Sequence, residues 1–171
     1  DIDTRKRFIV LFLSFFDGRG DLMKSIVDEA MSGKAEKGED RLEEFGSPKI
    51  MVVGAGGAGC NAVNRLANMG VSGAQLVAVN TDKQHLAIIN DELTKILIGK
   101  SVTRGLGAGG YPEIGAKAAE VSRNALEEVL SGVDMLFISC GMGGGTGTGS
   151  APIIAEIAKE QGAIVIAIVT Y

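Results

Sequence analysis

The 171-residue sequence contains no tryptophan, only two cysteines and three prolines, and a single histidine. Two cysteines without CxxC or histidine spacing form no disulfide framework and make a poor metal site, so we expect a reduced, cytoplasmic protein. The net charge of −4 excludes a basic nucleic-acid-binding arm, and the 46% apolar content excludes a disordered acidic tail. We therefore expect a globular domain, no nucleic-acid partner, and a structural or surface role for His85.

Long apolar runs are also missing. Residues 8–16 are apolar apart from Ser14 and follow the basic residues 5–7, which is the layout of a signal peptide. The run is shorter than the roughly 20 residues that span a bilayer, and no small-residue cleavage site follows it. We therefore expect no direct membrane insertion and three segments: a doubtful apolar segment over 1–22, a charged extension over 23–47, and a folded domain over 48–171.

Glycine, by contrast, is abundant at 25 residues. From residue 48 onward, apolar strands alternate with helical patterns, which predicts an α/β fold: a Rossmann-like parallel sheet with helices on both faces. Ligands of such sheets bind beyond the carboxyl ends of the strands, which is where the glycines cluster. Strands are predicted over 49–53, 75–79, 95–98, 133–139 and 163–169, and helices over 58–69, 114–130 and 153–159.

The first glycine cluster covers residues 54–61, between a strand and a helix. Gly54, Gly56 and Gly59 fit the G-x-G-x-x-G pattern, in which glycine lets the backbone approach a phosphate at a helix N-terminus. The alternative is a tight packing turn from strand to helix. The second cluster, residues 103–112, is either a mobile surface loop or a loop that closes over a terminal phosphate.

The third cluster covers residues 141–150, of which 143–149 are only glycine and threonine. Successive N–H groups in such a run can form an anion-binding nest, to which Thr146 and Thr148 add hydroxyl donors. Ser150 is predicted to cap the next helix, with Pro152 in its first turn.

A decoy motif lies between these clusters. Gly99-Lys100-Ser101 imitates the end of a P-loop, but Thr94 stands where that motif requires glycine. Since Arg104 is the only basic residue in the three clusters, we expect backbone N–H groups, helix dipoles and a metal to hold the phosphates.

Taken together, the motifs resemble the tubulin/FtsZ family over residues 48–171. Residues 143–149 match its glycine-rich signature, and 56–61, Asn80-Thr81-Asp82 and 103–110 resemble FtsZ in the same order. The residues that flank the signature, 140–142 and 150–152, are similar to those of archaeal members. The resemblance implies a GTP-binding and GTP-hydrolysing protein that polymerises head to tail into the cell-division ring. It further implies GTP or GDP with Mg²⁺ as cofactors, division-ring and membrane-tether proteins as partners, and a cytoplasmic location at the division site.

The resemblance also assigns site residues. Asp82 would lie near the phosphate–Mg²⁺ region, or else serve only as a helix N-terminal acid. In the family's strand order the first and fourth strands are neighbours, so Cys60 and Cys140 would both border the nucleotide. Alkylation would then weaken GTP binding and bound GTP would protect at least one cysteine; the alternative is that Cys140, at a buried strand end, is inert. The nucleotide-binding residues would be Gly57, Ala58, Gly59, Cys60, Asn61, Ala108, Gly109, Gly110, Gly145, Thr146, Gly147, Thr148 and Gly149.

In the family, the guanine-contacting residues and the acidic catalytic loop lie beyond the position of Tyr171. The resemblance therefore predicts a partial GTP-binding domain over 48–171, with no catalytic residue in this chain and no turnover by the chain alone. Two alternatives remain open: a Rossmann-type NAD(P)-binding oxidoreductase domain, which the G-x-G-x-x-G pattern favours, and a non-catalytic module such as a filament-capping fragment.

Overall fold

A computed structural model describes residues 47–170 of the chain; the segments predicted over 1–22 and 23–46 lie outside the described residues. The strands are β1 (Ile50–Ala55), β2 (Gln75–Asn80), β3 (Thr94–Leu97), β4 (Met135–Gly141) and β5 (Ile164–Thr170). The helices are α1 (Gly56–Asn68), α2 (Lys83–Ile88), α3 (Lys100–Thr103), α4 (Pro112–Glu120), α5 (Arg123–Leu130) and α6 (Gly145–Glu160).

The five strands form one parallel sheet in the order β3-β2-β1-β4-β5. This confirms the predicted Rossmann-like architecture. The chain builds outward from β1 through β2 to β3, then returns to pair β4 with the other side of β1. The direction of winding therefore reverses between β1 and β4, and the crevice beyond their carboxyl ends is where such sheets bind ligands.

Helices cover both faces of the sheet. On one face, α4, α5 and α6 pack over the larger core, in which Met51, Leu136 and Ile138 are fully buried. On the other face, α1 and α2 pack over a smaller core around Val63 and Ala78. The apolar runs of β1, β2 and β4 are long because side chains on both faces of these central strands are shielded from water.

Strand β5 differs from the expectation that both faces of each strand are covered. Its residues alternate in exposure, with Ile164, Ile166 and Ile168 on the open side. The other side, including Val165 and Val169, packs against the larger core. An apolar run thus did not distinguish a central strand from this edge strand.

The predicted helix over 114–130 is two helices. Helix α4 ends at Glu120, α5 begins at Arg123, and the break turns Val121 outward to 53% exposure. Ser122 leaves helical geometry, and its hydroxyl accepts a 2.9 Å hydrogen bond from the backbone N–H of Gly99. This tertiary contact outweighs the apolar periodicity, which placed Val121 on the buried stripe.

Helix α6 also begins earlier than predicted. Gly144, not Ser150, is its N-cap, and Pro152 lies inside the helix. The Ser150 hydroxyl is buried and donates to the carbonyl of Thr146, one turn back. Residues 145–149 of the glycine and threonine run therefore form the first turn and a half of a helix rather than a loop, because close packing outweighs the poor helix propensity of glycine.

None of the helices within residues 47–170 has the length and apolar character needed to cross a membrane.

Candidate functional site

The three glycine clusters meet around the first turn of α6. A Cβ built on Gly56 would lie 2.7 Å from the backbone nitrogen of Gly147, which joins the first cluster to the third. A Cβ built on Gly145 would lie 2.9 Å from the Cβ of Ala108 and 3.0 Å from the carbonyl carbon of Gly110, which joins the third cluster to the second. Glycine is needed at these positions because the backbones approach closer than side chains allow.

Two adjoining hollows open where the clusters meet, beyond the ends of β1, β2 and β4. They have volumes of about 570 and 300 Å³ and share Gly57 and Thr146. The larger is also lined by Asn61, Asn80, Asp82, Gln84, His85, Ile88 and Gly107. The smaller is also lined by Ala55, Gly56, Ala58, Gly141, Met142, Gly144, Gly145 and Gly147.

Helices α1 and α6 both begin at the smaller hollow, and neither is capped by a side chain. Their N-caps are Ala55 and Gly144, which offer no side-chain acceptor to the first backbone N–H groups. The first N–H groups of a helix have no intrahelical partner and carry the positive end of the helix dipole. The two helices therefore present backbone donors and favourable dipoles to one small region, which suits a polyanion such as a chain of phosphates.

The predicted nucleotide-binding residues fall into two groups. Gly57, Ala58, Asn61, Gly145, Thr146 and Gly147 line the hollows. Gly59, Cys60, Ala108, Gly109, Gly110, Thr148 and Gly149 are not among the lining residues. Gly59 lies against the carbonyl of Ser139, and Gly149 lies against α4, so these two positions serve backbone packing. The contact of each residue with a nucleotide stays a prediction.

The hydroxyls of Thr146 and Thr148 form hydrogen bonds that hold the start of α6 in place. Thr146 Oγ1 lies 2.6 Å from Thr81 Oγ1, so a buried hydrogen bond links the start of α6 to the end of β2. The Thr148 hydroxyl accepts a 3.2 Å hydrogen bond from the backbone N–H of Gly143. Each of these hydroxyls thus already has a hydrogen-bond partner within the protein, and the Thr148 hydroxyl, which accepts in this bond, keeps its own hydrogen for a further acceptor.

Replacing Thr146 with valine removes its half of the buried pair and leaves the Thr81 hydroxyl without its partner. We expect the free energy of unfolding to fall by about 1–3 kcal/mol, the usual cost of a stranded buried polar group. The double variant Thr81→Val/Thr146→Val should lose less than the sum of the two single variants, because no polar atom is then stranded. Denaturant unfolding of the four proteins measures this coupling, and strictly additive losses would contradict it.

Asp82 caps helix α2. Its Oδ1 accepts hydrogen bonds from the backbone N–H groups of Gln84, at 2.8 Å, and His85, at 3.2 Å. The helix-terminal role weighed in the sequence is therefore present. Asp82 also lines the larger hollow, so it can still serve Mg²⁺, which commonly takes one or two carboxylates and completes its shell with phosphates and water. Residues 47–170 contain no cluster of three or more potential metal-ligating side chains.

His85 was assigned to structure or surface, and the structure places it in the wall of the larger hollow. Its ring nitrogens lie between two asparagines, with Nδ1 3.0 Å from Asn80 Nδ2 and Nε2 3.0 Å from Asn61 Oδ1. A usable signal was present in the sequence: Asp82 follows a predicted strand as a capping residue, which places His85 in the first turn of a helix at the sheet's carboxyl edge.

Both cysteine thiols are buried, which favours the inert alternative weighed for Cys140, and the effect of alkylation on GTP binding stays a prediction. β1 and β4 are neighbours as predicted, but Cys60 and Cys140 are 0% and 3% exposed. Cys60 points into the α1 side of the core, where its Sγ lies 3.6 Å from each of the Gly54 and Val79 carbonyl oxygens. Burial raises the pKa of Cys60 to about 12 and also raises the pKa of Cys140.

Arg104 does not line either hollow. It belongs to a separate groove of about 670 Å³ that it shares with Lys83, Lys95 and Lys100. Its backbone is held in the left-handed region at φ 54°, where it caps α3. The lining residues of the two hollows include no lysine or arginine, in keeping with phosphates held by backbone donors and dipoles.

The model of the Tubulin/FtsZ family, GTPase domain, matches residues 49–171. Among curated proteins, cell division protein FtsZ 2 of Methanocaldococcus jannaschii is 56% identical over 150 residues, covering 88% of this chain and 39% of the relative. FtsZ 2 of Haloferax volcanii is 54% identical over 154 residues, covering 86% of this chain and 38% of the relative. The chain thus spans about two fifths of the length of these relatives.

Solved structures agree with the sequence comparisons. An empty FtsZ dimer from M. jannaschii matches with a TM-score of 0.69 and 46% identity, over 86% of this chain and 39% of that chain. CetZ2 from Haloferax volcanii, solved as a GTPγS-bound protofilament, matches with a TM-score of 0.59 and 29% identity, over 71% of this chain and 39% of that chain.

Proposed function

The chain belongs to the tubulin/FtsZ family of GTPase domains, and from that premise we propose that it binds GTP and GDP in the two hollows at the carboxyl edge of its sheet. In the whole protein, this site would hydrolyse GTP and drive head-to-tail assembly into a cell-division ring. Family membership weighs against the NAD(P)-binding alternative, as does Asn80, which stands at the end of β2 where a dinucleotide site expects an acid.

One observation carries the proposal: α1 and α6 begin uncapped at the same hollow. Both are long helices, of 13 and 16 residues, whereas the neighbouring α2 is capped by Asp82. Phosphate oxygens would accept from the first N–H groups of both helices at once. The glycines at these turns leave room for that approach, since a Cβ on Gly57 would meet nothing nearer than His85 Cε1, at 4.0 Å.

We assign the following roles within the site. Gly57, Ala58 and Asn61 would contact the nucleotide from α1, Gly145 to Thr148 would hold the α- and β-phosphates, and Ala108, Gly109 and Gly110 would lie by the γ-phosphate. Asp82 would reach a Mg²⁺ carried by the phosphates, and this ion would neutralise charge that develops on them. Hydrolysis would proceed by attack of water on the γ-phosphate, and the protein would position the reacting groups and stabilise the developing charge.

We propose that residues outside this chain complete the catalytic site. The chain spans about two fifths of its relatives' length, and the family's acidic catalytic loop lies in the remainder. The chain alone would then bind nucleotide without sustained turnover. Its partners would be further copies in a filament, together with division-ring and membrane-tether proteins, in the cytoplasm at the division site.

GTP and GDP should each raise the melting temperature of the chain, and NADH should not.

The variant Gly57→Ala tests where the nucleotide binds, because its methyl group has room in the folded chain but occupies the wall shared by the two hollows. We expect this variant to keep or slightly gain stability, since alanine favours a helix over glycine by about 1 kcal/mol. Its affinity for GTP should fall by about tenfold or more, the effect of losing about 1.4 kcal/mol of binding.

Thermal shift measures the ligand choice, a fluorescent GTP analogue measures the affinity, and phosphate release measures turnover. Protection by NADH alone would overturn the proposed ligand. Unchanged GTP affinity in Gly57→Ala would overturn the proposed place of binding, and sustained phosphate release by the chain alone would overturn the claim that catalysis needs residues outside it.

A further inference from the structure

Asn80, His85 and Asn61 form a chain of hydrogen bonds in the wall of the larger hollow, and the backbone fixes its direction. Asn80 Oδ1 accepts the backbone N–H groups of Thr81, at 2.8 Å, and Asp82, at 3.3 Å. An oxygen is required at that end of the amide, because only an acceptor satisfies two N–H donors. The amide nitrogen of Asn80 therefore faces His85 Nδ1, at 3.0 Å.

The orientation of Asn80 determines where the ring proton of His85 lies. The Asn80 amide nitrogen can only donate, so Nδ1 of His85 must be the unprotonated, accepting nitrogen. A neutral ring then carries its proton on Nε2, which donates to Asn61 Oδ1 at 3.0 Å. A proton on Nδ1 would face the amide hydrogens of Asn80 and break this arrangement.

This series of hydrogen bonds ends at Asn61, whose amide nitrogen is left as a donor. Since Asn61 Oδ1 accepts from His85, the amide nitrogen with its two hydrogens is the free end, and no residue within 47–170 accepts from it. Asn61 stands in the first turns of α1 and lines the larger hollow beside Gly57. Its free N–H groups therefore add to the backbone donors of the uncapped helix.

We propose that His85 is a positioning residue that fixes the Asn61 amide so that it presents N–H donors, and not its carbonyl oxygen, to oxygen atoms of the bound nucleotide. This inference rests on the proposed GTP-binding function and adds a specificity element to it. Without the Nε2 proton, the Asn61 amide is free to rotate. A rotated amide would turn its oxygen toward the phosphate oxygens, which are acceptors themselves and need the N–H donors that the amide nitrogen supplies.

NMR on the chain tests the proton position directly, because His85 is the sole histidine in the sequence. In untagged, ¹⁵N-labelled protein at about pH 8, a long-range ¹H–¹⁵N spectrum shows a single imidazole ring. We expect Nε2 to be protonated and Nδ1 to be bare, in one stable tautomer. A ring protonated on Nδ1, or one that averages both tautomers as free histidine does, overturns the proposal whether or not the chain binds GTP.

Two variants test the consequence for binding. His85→Leu removes the donor and introduces an apolar, helix-favouring side chain, and we expect it to bind GTP about five- to tenfold more weakly. His85→Gln keeps a side-chain N–H donor and should bind within about twofold of the original chain. Thermal unfolding of both variants checks that they fold.

The outcomes separate this inference from the proposed function. Equal GTP affinity of the leucine variant and the original chain contradicts the positioning role, as does equal weakening by leucine and glutamine. If the original chain binds no GTP while its ring keeps the proton on Nε2, the proposed function is wrong, and the ligand assigned to Asn61 is wrong with it.

Discussion

Replacing Gly149 with alanine is expected to destabilise the folded chain by about 3 kcal/mol or more, beyond the usual range for an overpacked site. The added methyl group would overlap the carbonyl oxygen of Pro112 and lie 2.5 Å from the backbone nitrogen of Ala116. Both atoms belong to the backbone of α4, so no side-chain rotation relieves the overlap. Helices α4 and α6 would have to move apart, which would open the larger core between them and the sheet.

Gly144→Ala is the matched control, five residues earlier in the same glycine and threonine run. A Cβ at Gly144 meets no atom within 4 Å, and its φ of −90° suits any residue. We expect its stability to change by less than about 1 kcal/mol, the effect of an altered N-cap. Thermal and denaturant unfolding compare the two variants. Similar stability of both would show that α4 and α6 do not pack as closely as described.

The glycine and threonine signature thus serves two purposes that sequence alone did not separate. Gly145 and Gly147 line the smaller hollow, where their backbone is available to a ligand. Gly149 permits the approach of α4, and Thr146 ties the helix to β2 through Thr81. A motif read only as a phosphate cradle therefore also carries the packing that holds the cradle in place. We expect Gly149→Ala to lose nucleotide binding through loss of folding rather than through loss of a contact.

The sequence was sufficient to predict the sheet and the edge at which ligands bind. The five strands were found because each is a compact apolar run, and their parallel order follows from the alternation with helices. The sequence was not sufficient for helix boundaries. Ser122 ends α4 through a contact with Gly99, and α6 starts at Gly145 through contacts with α4; both causes are distant in sequence. Local propensity carries no information about such partners.

In the candidate site, too, local features could be predicted from the sequence and contacts between distant residues could not. The three glycine clusters and Asp82 were identified because glycine and capping residues have local signatures at strand ends. The hydrogen bonds of His85 could not be predicted, because its two partners are asparagines 24 residues and 5 residues before it, which no spacing rule connects. A neutral hydrogen-bonded chain has no compositional signal; it exists only once β2, α1 and α2 meet.

Cys60 should resist alkylation in the folded chain. With its pKa raised to about 12 by burial, its thiolate fraction at about pH 8 is roughly a thousandfold below that of a thiol with the ordinary pKa of 9.0. The labelling rate in the folded state should rise about tenfold per pH unit, since thiolate increases as pH approaches the pKa. Cys140 should also label slowly, because its pKa is raised in the same direction and it is 3% exposed.

Iodoacetamide labelling with peptide mass spectrometry measures both sites, and the same reaction in denaturant gives the rate for accessible thiols. The expectation that bound GTP protects a cysteine then changes. If burial already shields both thiols, GTP should alter their labelling only by slowing the opening of the fold, and to a similar degree at Cys60 and Cys140. Rapid labelling of Cys60 in the folded chain would contradict its burial against Gly54 and Val79. Since these contacts hold α1 against β1 and β2, that result would also undermine the placement of α1's N-terminus at the hollow.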